Sequence, residues 1–426
     1  MTSNDKRLIE VAFPLKQVSL DSVHEKNGPC PKETTPMRAT IYTYPWDLTD
    51  EGIDSALDTI AHTAGLNSVS LAQSYHVSTY FLPHNPRRPL YWGEEGALYF
   101  QPSAAFYDES PIAPLISNVV DGPDYMRRIA DKIKERGLDL TSWLVFNYNH
   151  YLPQRYPDAA KHDPFGHINF AQLCPASPLV RDYVRALCRD IAAQFQPDEF
   201  HLESLGYLHF SYGFRNPKVG VKITPFCELL MGLCYCQHCL QRASALGLDG
   251  ESFRAEVAEF LARELASEPT PEDMQPPSAE FLATAFSGRL QTFLDARVET
   301  ATSLVEEAIA IANQAGARAS FFGGRDRTVN GLDSDRVLRN VYMVNAGVGG
   351  EPDALAASVR TLRGEFPADT GLSAIVSPGG FADSDALGVH LTALSQAGVN
   401  GYAFYNYGLI RRAHLEWIGN YRYLWK

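Results

Sequence analysis

The sequence has no run of apolar residues that approaches the roughly 18 needed for a membrane-spanning helix. Its first residues, 1–16, contain no apolar segment after their charges, so no secretory signal peptide is expected. We therefore expect a cytoplasmic protein in a reducing compartment. Its seven cysteines should then be thiols or metal ligands rather than disulfides.

Basic residues are also in short supply. The 37 lysines and arginines are outnumbered by 50 aspartates and glutamates, which gives a formal net charge of -13. Nucleic acids and anionic membranes require a basic face on the protein that binds them, so neither is expected as a partner. With 45% hydrophobic residues, the chain of 426 residues can bury a large core. A homo-oligomer is compatible with this composition.

Short apolar segments alternate with amphipathic ones along most of the chain. We interpret the polar, proline-bearing residues 1–37 as an N-terminal arm, after which eight β-prone segments are each followed by a predicted helix. Strands that helices cover on both faces have this apolar character. Predicted strands lie at residues 39–44, 67–72, 138–146, 200–202, 317–322, 341–344, 372–376 and 401–405. The pattern predicts an α/β protein with a (β/α)8 TIM barrel over residues 38–426.

Two features refine this prediction. The turn after the first strand, Tyr44-Pro45-Trp46-Asp47, lacks the glycines that a doubly wound nucleotide-binding sheet carries there. After the fourth strand, residues of about 223–290 are helical and predict an inserted subdomain. Residues 281–316 are predicted to form one long helix that ends this insertion and covers the barrel.

A dense cysteine cluster follows the fourth strand. Cys234, Cys236 and Cys239 lie within six residues of one another, too close together for three unrelated core positions. A structural zinc site needs four soft ligands in a tetrahedron, and a local Cys-x-x-Cys turn supplies two of them. From spacing alone, the fourth ligand could be Cys174, Cys188, Cys227 or His238.

The turn Cys174-Pro175-Ala176-Ser177-Pro178, taken with this cluster, resembles the family 42 β-galactosidases of clan A. Those enzymes are (β/α)8 barrels with a Cys-Pro-x-Ser-Pro turn after strand three and a Cys-x-Cys-x-x-Cys cluster after strand four. The resemblance covers residues 170–240. It implies a structural zinc with four ligands: Cys174, Cys234, Cys236 and Cys239.

The chain differs from that family at the positions of the family's two catalytic Glu residues. Strand four of the family ends in Asn-Glu, whereas here it ends in Leu202-Glu203. A second Glu is expected at the end of strand seven, where this chain has Ser377-Pro378-Gly379-Gly380. The resemblance therefore implies the metal site more firmly than it implies the chemistry.

Glu203 is the one Glu at the C-terminal end of a predicted strand, which is where (β/α)8 barrels carry their chemistry. Glycoside cleavage needs two carboxyl groups, one of which donates a proton. Burial in an apolar strand would raise the pKa of Glu203 and suit a general acid, whereas a partner such as Arg325 would keep it ionised and suit a nucleophile. A structural carboxylate paired with Arg or His is the alternative.

The other strand ends are rich in aromatic, amide and His side chains and poor in lysine, a mixture that suits sugars. We expect Asp326 to be the second catalytic carboxyl, ahead of Asp47 and Asp383. The expected substrate contacts are Trp46, Asp47, His76, Asn149, His150, His201, Arg325, Asn345, Tyr405 and Asn406.

These residues predict a glycoside hydrolase-like enzyme that cleaves a small glycoside or oligosaccharide, with Glu203 as general acid or nucleophile. One alternative is a carbohydrate-binding barrel without catalysis, because the second Glu is missing. Another is a sugar isomerase or lyase with Glu203 as base. That class usually holds a catalytic metal with acids from several strand ends, and such acids are few here.

Overall fold

Eight parallel strands close into a barrel in the computed structural model, which describes residues 37–426 except 109, 215, 324, 325 and 349–351. The strands, numbered in chain order, are β1 Arg38–Thr43, β2 Ser68–Tyr75, β3 Asp139–Val145, β4 Glu199–Glu203, β5 Arg318–Phe322, β6 Met343–Gly347, β7 Gly371–Val376 and β8 Gly401–Phe404. Closure occurs at β1, where Thr40 pairs with Ser68 of β2 and Arg38 pairs with Gly401 of β8. The predicted (β/α)8 fold is confirmed.

Fifteen α-helices lie in the described part of the chain, most of them between successive strands. They are Pro45–Glu51, Ile53–Asp58, Tyr125–Glu135, Leu152–Arg155, Pro178–Phe195, Pro225–Gly232, Gln237–Ser244, Gly250–Glu264, Ala279–Thr284, Arg289–Gln314, Arg327–Asn330, Ser334–Asn340, Pro352–Gly364, Ser384–Ala397 and Arg412–Asn420. Capping residues start several of them; the Asp383 side chain, for example, accepts a hydrogen bond from the amide of Ala386 at 2.8 Å. None of these helices has the length and apolarity to cross a membrane.

The strands are buried on both faces, but the two faces differ. On β4, Phe200 and Leu202 alternate with Glu199, His201 and Glu203, and all five are buried. Glu199 contacts Arg38 of β1 and His201 contacts Asn345 of β6, so the polar face points into the barrel, whereas the apolar pair points toward the helices. The alternation of inward polar and outward apolar residues along β4 therefore gives the barrel a polar interior.

An ion pair crosses this interior near the N-terminal ends of the strands. The guanidinium of Arg38 on β1 lies 3.0 Å from both carboxylate oxygens of Glu199 on β4. Glu199 also accepts hydrogen bonds from Ser320 and Tyr342, and Arg38 donates to Asn345 at 3.2 Å. Both charges are buried and have lost their hydration, so each is stabilised by its interaction with the other.

Four helices between β4 and Arg289–Gln314 occupy the range of the expected insertion. They are Pro225–Gly232, Gln237–Ser244, Gly250–Glu264 and Ala279–Thr284. The prediction of one continuous helix over residues 281–316 is wrong. Phe286 and Ser287 have left-handed φ values of 53° and 57°, and the ring of Phe286 packs against Phe253 and Phe260. Packing of that half-buried ring against the aromatic cluster offsets the backbone strain that breaks the helix.

A long excursion between β2 and β3 lies on the barrel. It contains a hairpin of strands Thr79–Phe81 and Leu90–Trp92, with Tyr80 turned toward Tyr44 and Trp46. Arg88 and Asn85 both donate to the buried carboxylate of Asp50, which ties the excursion to the first helix. The N-terminal arm, residues 1–37, lies outside the described residues apart from Met37.

Candidate active site

Glu203 is the last residue of β4 and lies at the C-terminal mouth of the barrel, between Val145 of β3 and Phe322 of β5. The side chain is buried, and its Oε2 atom accepts a hydrogen bond of 2.7 Å from the indole Nε1 of Trp143. Burial raises the pKa of the Glu203 carboxyl to about 7, although the bond from Trp143 opposes the rise. A carboxyl with this pKa both holds and releases a proton near neutral pH, as a general acid or base must.

The backbone directly after Glu203 is strained. Ser204 has a left-handed φ of 57°, which non-glycine residues rarely adopt. The amides of Phe146 and Asn147 donate to the carbonyl oxygens of Glu203 and Ser204 at 3.1 and 2.9 Å, and these bonds hold the turn. Strain of this kind is concentrated at functional sites, where it fixes the direction of a reactive side chain.

Aromatic rings surround the Trp143 indole. Its ring centroid lies 4.7 Å from that of Tyr42 and 4.6 Å from that of Tyr75, both in edge-on contact. The hydroxyl of Tyr405, directly after β8, lies 3.4 Å from the hydroxyls of Tyr44 and Tyr75. These rings form what we call the aromatic wall: Tyr42, Tyr44, Tyr75, Trp143 and Tyr405. Tyr405 is half-buried and the other four rings are buried, so the wall packs beneath the mouth. It combines flat apolar rings with phenolic hydroxyls, the kinds of group that suit a sugar.

His201 and Asn345 lie inside the barrel, below Glu203. The Oδ1 atom of Asn345 accepts from Arg38, so its Nδ2 atom is the donor to Nδ1 of His201 at 2.9 Å. Burial and the positive charge of Arg38 lower the pKa of His201 to about 3. His201 is therefore neutral and belongs to the interior network, together with Ser320.

Trp46 and Asp47 lie behind the mouth. Trp46 is fully buried and stacks on Tyr44 at a centroid distance of 4.8 Å. Asp47 is in the first turn of helix Pro45–Glu51 and accepts a hydrogen bond of 2.9 Å from the amide of Tyr44. Burial raises the pKa of Asp47 to about 7, opposed first by that amide. Trp46 and Asp47 therefore hold Tyr44 of the aromatic wall in place.

Four other residues that were expected to contact substrate make hydrogen bonds to the protein backbone, mostly within their own loops. His76 stacks on Tyr75 at 4.2 Å, and its Nδ1 atom lies 2.8 Å from the carbonyl oxygen of Val77. The Oδ1 atom of Asn149 accepts from two amides at 2.8 and 2.9 Å, and His150 lies 3.3 Å from the carbonyl of Gly213. Asn406 is buried and accepts from the amide of Gly408 at 3.1 Å.

Asp326, the expected second carboxyl, is exposed and caps the helix Arg327–Asn330. Its carboxylate accepts from the amides of Thr328 and Val329 at 2.8 and 3.4 Å. It lines a cavity beside the inserted helices and is not part of the aromatic wall. Arg325, expected to contact substrate, lies outside the described residues.

The sequence alone did not lead us to Trp143 and Tyr42, although their positions within the strands could have indicated them. Trp143 pairs in register with His201, two residues before Glu203, and on β1 Tyr42 likewise lies two residues before Tyr44. Both residues share the inward face with the residues at the strand ends. Large side chains one pleat below the strand ends reach the mouth, so a search confined to the ends overlooks them.

The four cysteines come together in a buried cluster. Cys174 follows the strand Ile168–Leu173, and the other three surround the start of helix Gln237–Ser244. The Sγ atoms of Cys234, Cys236 and Cys239 lie 3.6, 3.5 and 3.4 Å from that of Cys174. Four thiolates around a tetrahedral ion at about 2.3 Å would be separated by about 3.8 Å, so the cluster has the size and donors of a metal site.

Buried cations flank this cluster. The guanidinium of Arg297 lies 4.4 Å above the ring of Tyr207, whose hydroxyl is 3.3 Å from Sγ of Cys239. Lys161 donates to Gln172 and to the carbonyl of Leu208, both at 2.8 Å. Burial lowers the pKa of Lys161 to about 7, and the cysteine thiolates oppose this effect. The guanidinium of Arg297 at such depth suits a cluster of thiolates with net negative charge.

Comparison with known proteins finds similarity in structure but not in sequence. No protein-family model and no curated protein matches the chain. Among solved structures, the glycoside hydrolase domain of PgaB (BpsB) from Bordetella bronchiseptica aligns with a TM-score of 0.56 and 11% identity, over 92% of this chain and 99% of that one. Alpha-L-fucosidase isoenzyme 2 from Paenibacillus thiaminolyticus aligns with a TM-score of 0.54 and 16% identity, over 91% of this chain.

A GH42 β-galactosidase from G. stearothermophilus also aligns, with a TM-score of 0.53 and 11% identity, over 92% of this chain and 57% of that one. The chain spans 49% of the fucosidase, about half its length. At these identities the similarity shows the fold alone. The chain has the barrel fold of glycoside hydrolases, including that of the family whose cysteine motifs it resembles.

Proposed function

Since the chain shares its barrel fold with glycoside hydrolases, we propose that it hydrolyses a glycosidic bond with Glu203 as the proton donor. The observation that carries this proposal is the buried carboxyl at the end of β4, whose pKa burial raises to about 7. The leaving oxygen of a glycoside must receive a proton as its bond breaks. A carboxyl that still holds its proton at neutral pH supplies it.

The contacts of Glu203 suggest how the proton is delivered. Trp143 occupies Oε2, so Oε1 is the oxygen that faces the glycosidic bond in this proposal. Once the proton has left, the indole N–H stabilises the carboxylate, which can then accept a proton from water. The sugar ring would contact the aromatic wall at Tyr405, its half-buried member, whose hydroxyl would bind a hydroxyl group of the sugar.

Binding of a carbohydrate without hydrolysis is the second candidate function. One observation favours it: β7 ends at Val376 and is followed by Ser377 and the turn Pro378–Gly380, where a family 42 enzyme is expected to carry its second Glu. Asp326 caps a helix and does not replace that group. A metal-dependent sugar isomerase or lyase has less support. In the described ranges, the cysteine cluster is the one group of three or more metal-ligating side chains close enough to share an ion.

We also propose that the ion held by the cysteine cluster is a structural zinc. Cys174, Cys234, Cys236 and Cys239 would fill all four positions, which leaves none for substrate or water. When bound, zinc would supply a cross-link rather than catalysis: it would join the turn after the strand Ile168–Leu173 to the inserted helices. Thiolates of this kind persist in a reducing compartment, in line with a cytoplasmic enzyme of carbohydrate metabolism.

A panel of 4-nitrophenyl glycosides tests the proposed hydrolysis. We expect at least one of them to release 4-nitrophenol with wild-type protein and to release far less with Glu203→Gln. Calorimetric binding of the corresponding free sugars should be retained in both proteins. Sugar binding without release of 4-nitrophenol from any member would favour the non-catalytic barrel instead.

A further inference from the structure

A cavity begins beside the proposed proton donor. It has a volume of about 360 Å³ and lies between the loop after β4 and the end of β5. Ser204 follows Glu203 in the chain, and Phe322 pairs with Glu203 in register; both line this cavity. Tyr212 lines it too, with its hydroxyl 3.4 Å from Oγ of Ser204. The cavity therefore lies next to Glu203, because Ser204 and Phe322 on either side of that residue both line it.

A second cavity, of about 450 Å³, continues from the first toward the inserted helices. The two share His209 and Val329 in their walls, so they are neighbours. The far wall comes from helix Pro225–Gly232, through Leu229, and from helix Ala279–Thr284, through Leu282. Together they have the size of a small-molecule site and extend from the barrel mouth into the insertion.

The lining of the second cavity restricts what it can bind. Phe210, Leu229, Leu282 and three prolines supply apolar surface, whereas the charged groups are the carboxylates of Glu228 and Asp326. Neither Lys nor Arg is among its described lining residues. Sugars need several fixed hydrogen-bonding groups around each ring, and anions need cations. The lining suits a neutral apolar group instead.

We propose that these two cavities form the leaving-group subsite of the enzyme, and that its substrates are glycosides of hydrophobic, ring-bearing alcohols. This inference rests on the proposed function, because the leaving group must lie on the side of the proton donor. In the reaction, the bond between the anomeric carbon and the glycosidic oxygen breaks, and Glu203 protonates that oxygen. The aglycone then leaves as its alcohol, while water gives its hydroxyl to the anomeric carbon and returns a proton to Glu203.

Binding of 2-naphthol, measured by calorimetry on the full chain, tests the subsite without requiring turnover. We expect wild-type protein to bind 2-naphthol at least about tenfold more tightly than 2-naphthoate, whose charge would face Glu228 and Asp326. Leu229→Trp fills the cavity and should weaken 2-naphthol binding about tenfold or more. Thr328→Trp fills the same cavity from another wall and should weaken binding similarly. Loss of binding in both variants would then not be due to misfolding of one of them. Leu246→Trp is the matched control, since Leu246 is exposed and lies outside both cavities.

Turnover then tests the role of the subsite, with the sugar taken from the 4-nitrophenyl panel. Wild-type protein should hydrolyse the 2-naphthyl glycoside with a kcat/KM about tenfold above that of the phenyl glycoside, since the added ring buries several carbons. Leu229→Trp should bring that ratio toward one, and Leu246→Trp should keep it. Equal ratios in all proteins, or a preference for disaccharides, would overturn the inference and leave the proposed hydrolysis intact. Binding of 2-naphthol with no hydrolysis of any glycoside would overturn the leaving-group role together with the proposed function.

Discussion

The indole Nε1 of Trp143 donates a 2.7 Å hydrogen bond to Oε2 of Glu203, across two neighbouring strands. Trp143 lies opposite His201 in register, one pleat below Glu203, so the long indole side chain reaches up to the carboxyl. The ring also contacts Tyr42 and Tyr75. One residue thus sets the position of the carboxyl, influences its pKa and belongs to the aromatic wall.

Trp143→Phe should raise the pKa of Glu203, because burial remains while the hydrogen bond that opposes it is lost. For a proton donor, the alkaline limb of the pH profile of kcat/KM should then move to higher pH. Trp417→Phe, in helix Arg412–Asn420, controls for loss of an indole whose ring contacts His414 rather than Glu203. An alkaline limb that stays in place in Trp143→Phe would argue that this limb does not report Glu203.

Glu203→Gln should remove most hydrolysis and leave the fold intact, because the amide has nearly the same shape as the carboxyl. Loss of a general acid costs about 10² to 10⁴ in rate. The loss should be smaller for glycosides with acidic leaving groups, which need less protonation, and a leaving-group series measures this. Equal losses across the series would indicate a nucleophile, and turnover at the wild-type rate would make Glu203 structural.

The same substitution should change how stability depends on pH. The pKa of Glu203 is raised by burial from 4.5 to about 7 in the folded protein, so the folded state holds the proton more tightly than the unfolded state. Stability from this group is therefore complete below about pH 4.5 and is lost as the pH rises through 7, by about 3 kcal/mol. Urea unfolding at pH 5 and pH 8 should show a smaller decrease for Glu203→Gln than for wild type.

Cys236→Ala should abolish stoichiometric zinc and lower the melting temperature. Purified wild-type protein should contain about one zinc per chain, measured by elemental analysis. Cys188→Ala is the matched control, since Cys188 is a buried cysteine in helix Pro178–Phe195 outside the cluster. Activity of the wild type should not respond to added metal, because four thiolates fill the coordination shell. Wild-type protein without metal, or Cys236→Ala with full zinc, contradicts the proposal.

Arg38→Met should destabilise the barrel strongly, because it leaves the buried carboxylate of Glu199 without its cation. Removal of one member of a buried pair typically costs about 3–5 kcal/mol. The double variant Arg38→Met, Glu199→Met removes both charges and should recover much of that loss, as measured by the free energy of unfolding in urea. A double variant less stable than Arg38→Met alone would show that the pair contributes more than mutual compensation.

The barrel could be predicted because its signals are local. Eight apolar segments alternate with helical ones, and each of the eight predicted strands overlaps an observed strand. β1 and β8 pair directly, as the closure of a (β/α)8 barrel requires. Asp383, a lower-ranked candidate for the second catalytic carboxyl, instead caps the helix Ser384–Ala397. The break at Phe286 could not be predicted from the local sequence, because it depends on packing against Phe253 and Phe260 of an earlier helix.

The site was harder to predict, because a polar residue at a strand end has two uses. Asp326 and Asn149 satisfy amides in the turns that they begin, a local function that resembles a catalytic position in the sequence. Trp143 and Tyr42 were missed because an aromatic residue within an apolar strand resembles core. Only the cross-barrel arrangement distinguishes these cases.

By itself, the sequence determined the strand count, the position of Glu203 at a strand end and the clustering of three cysteines, since each follows from residues close together in the chain. The tertiary structure decided what surrounds them. It brought Cys174 to the other three cysteines and Trp143 to Glu203, and it buried the Glu203 carboxyl so that its pKa rises to about 7. Burial and charge depend on all neighbours within several ångströms, and in a closed barrel those neighbours come from every part of the chain.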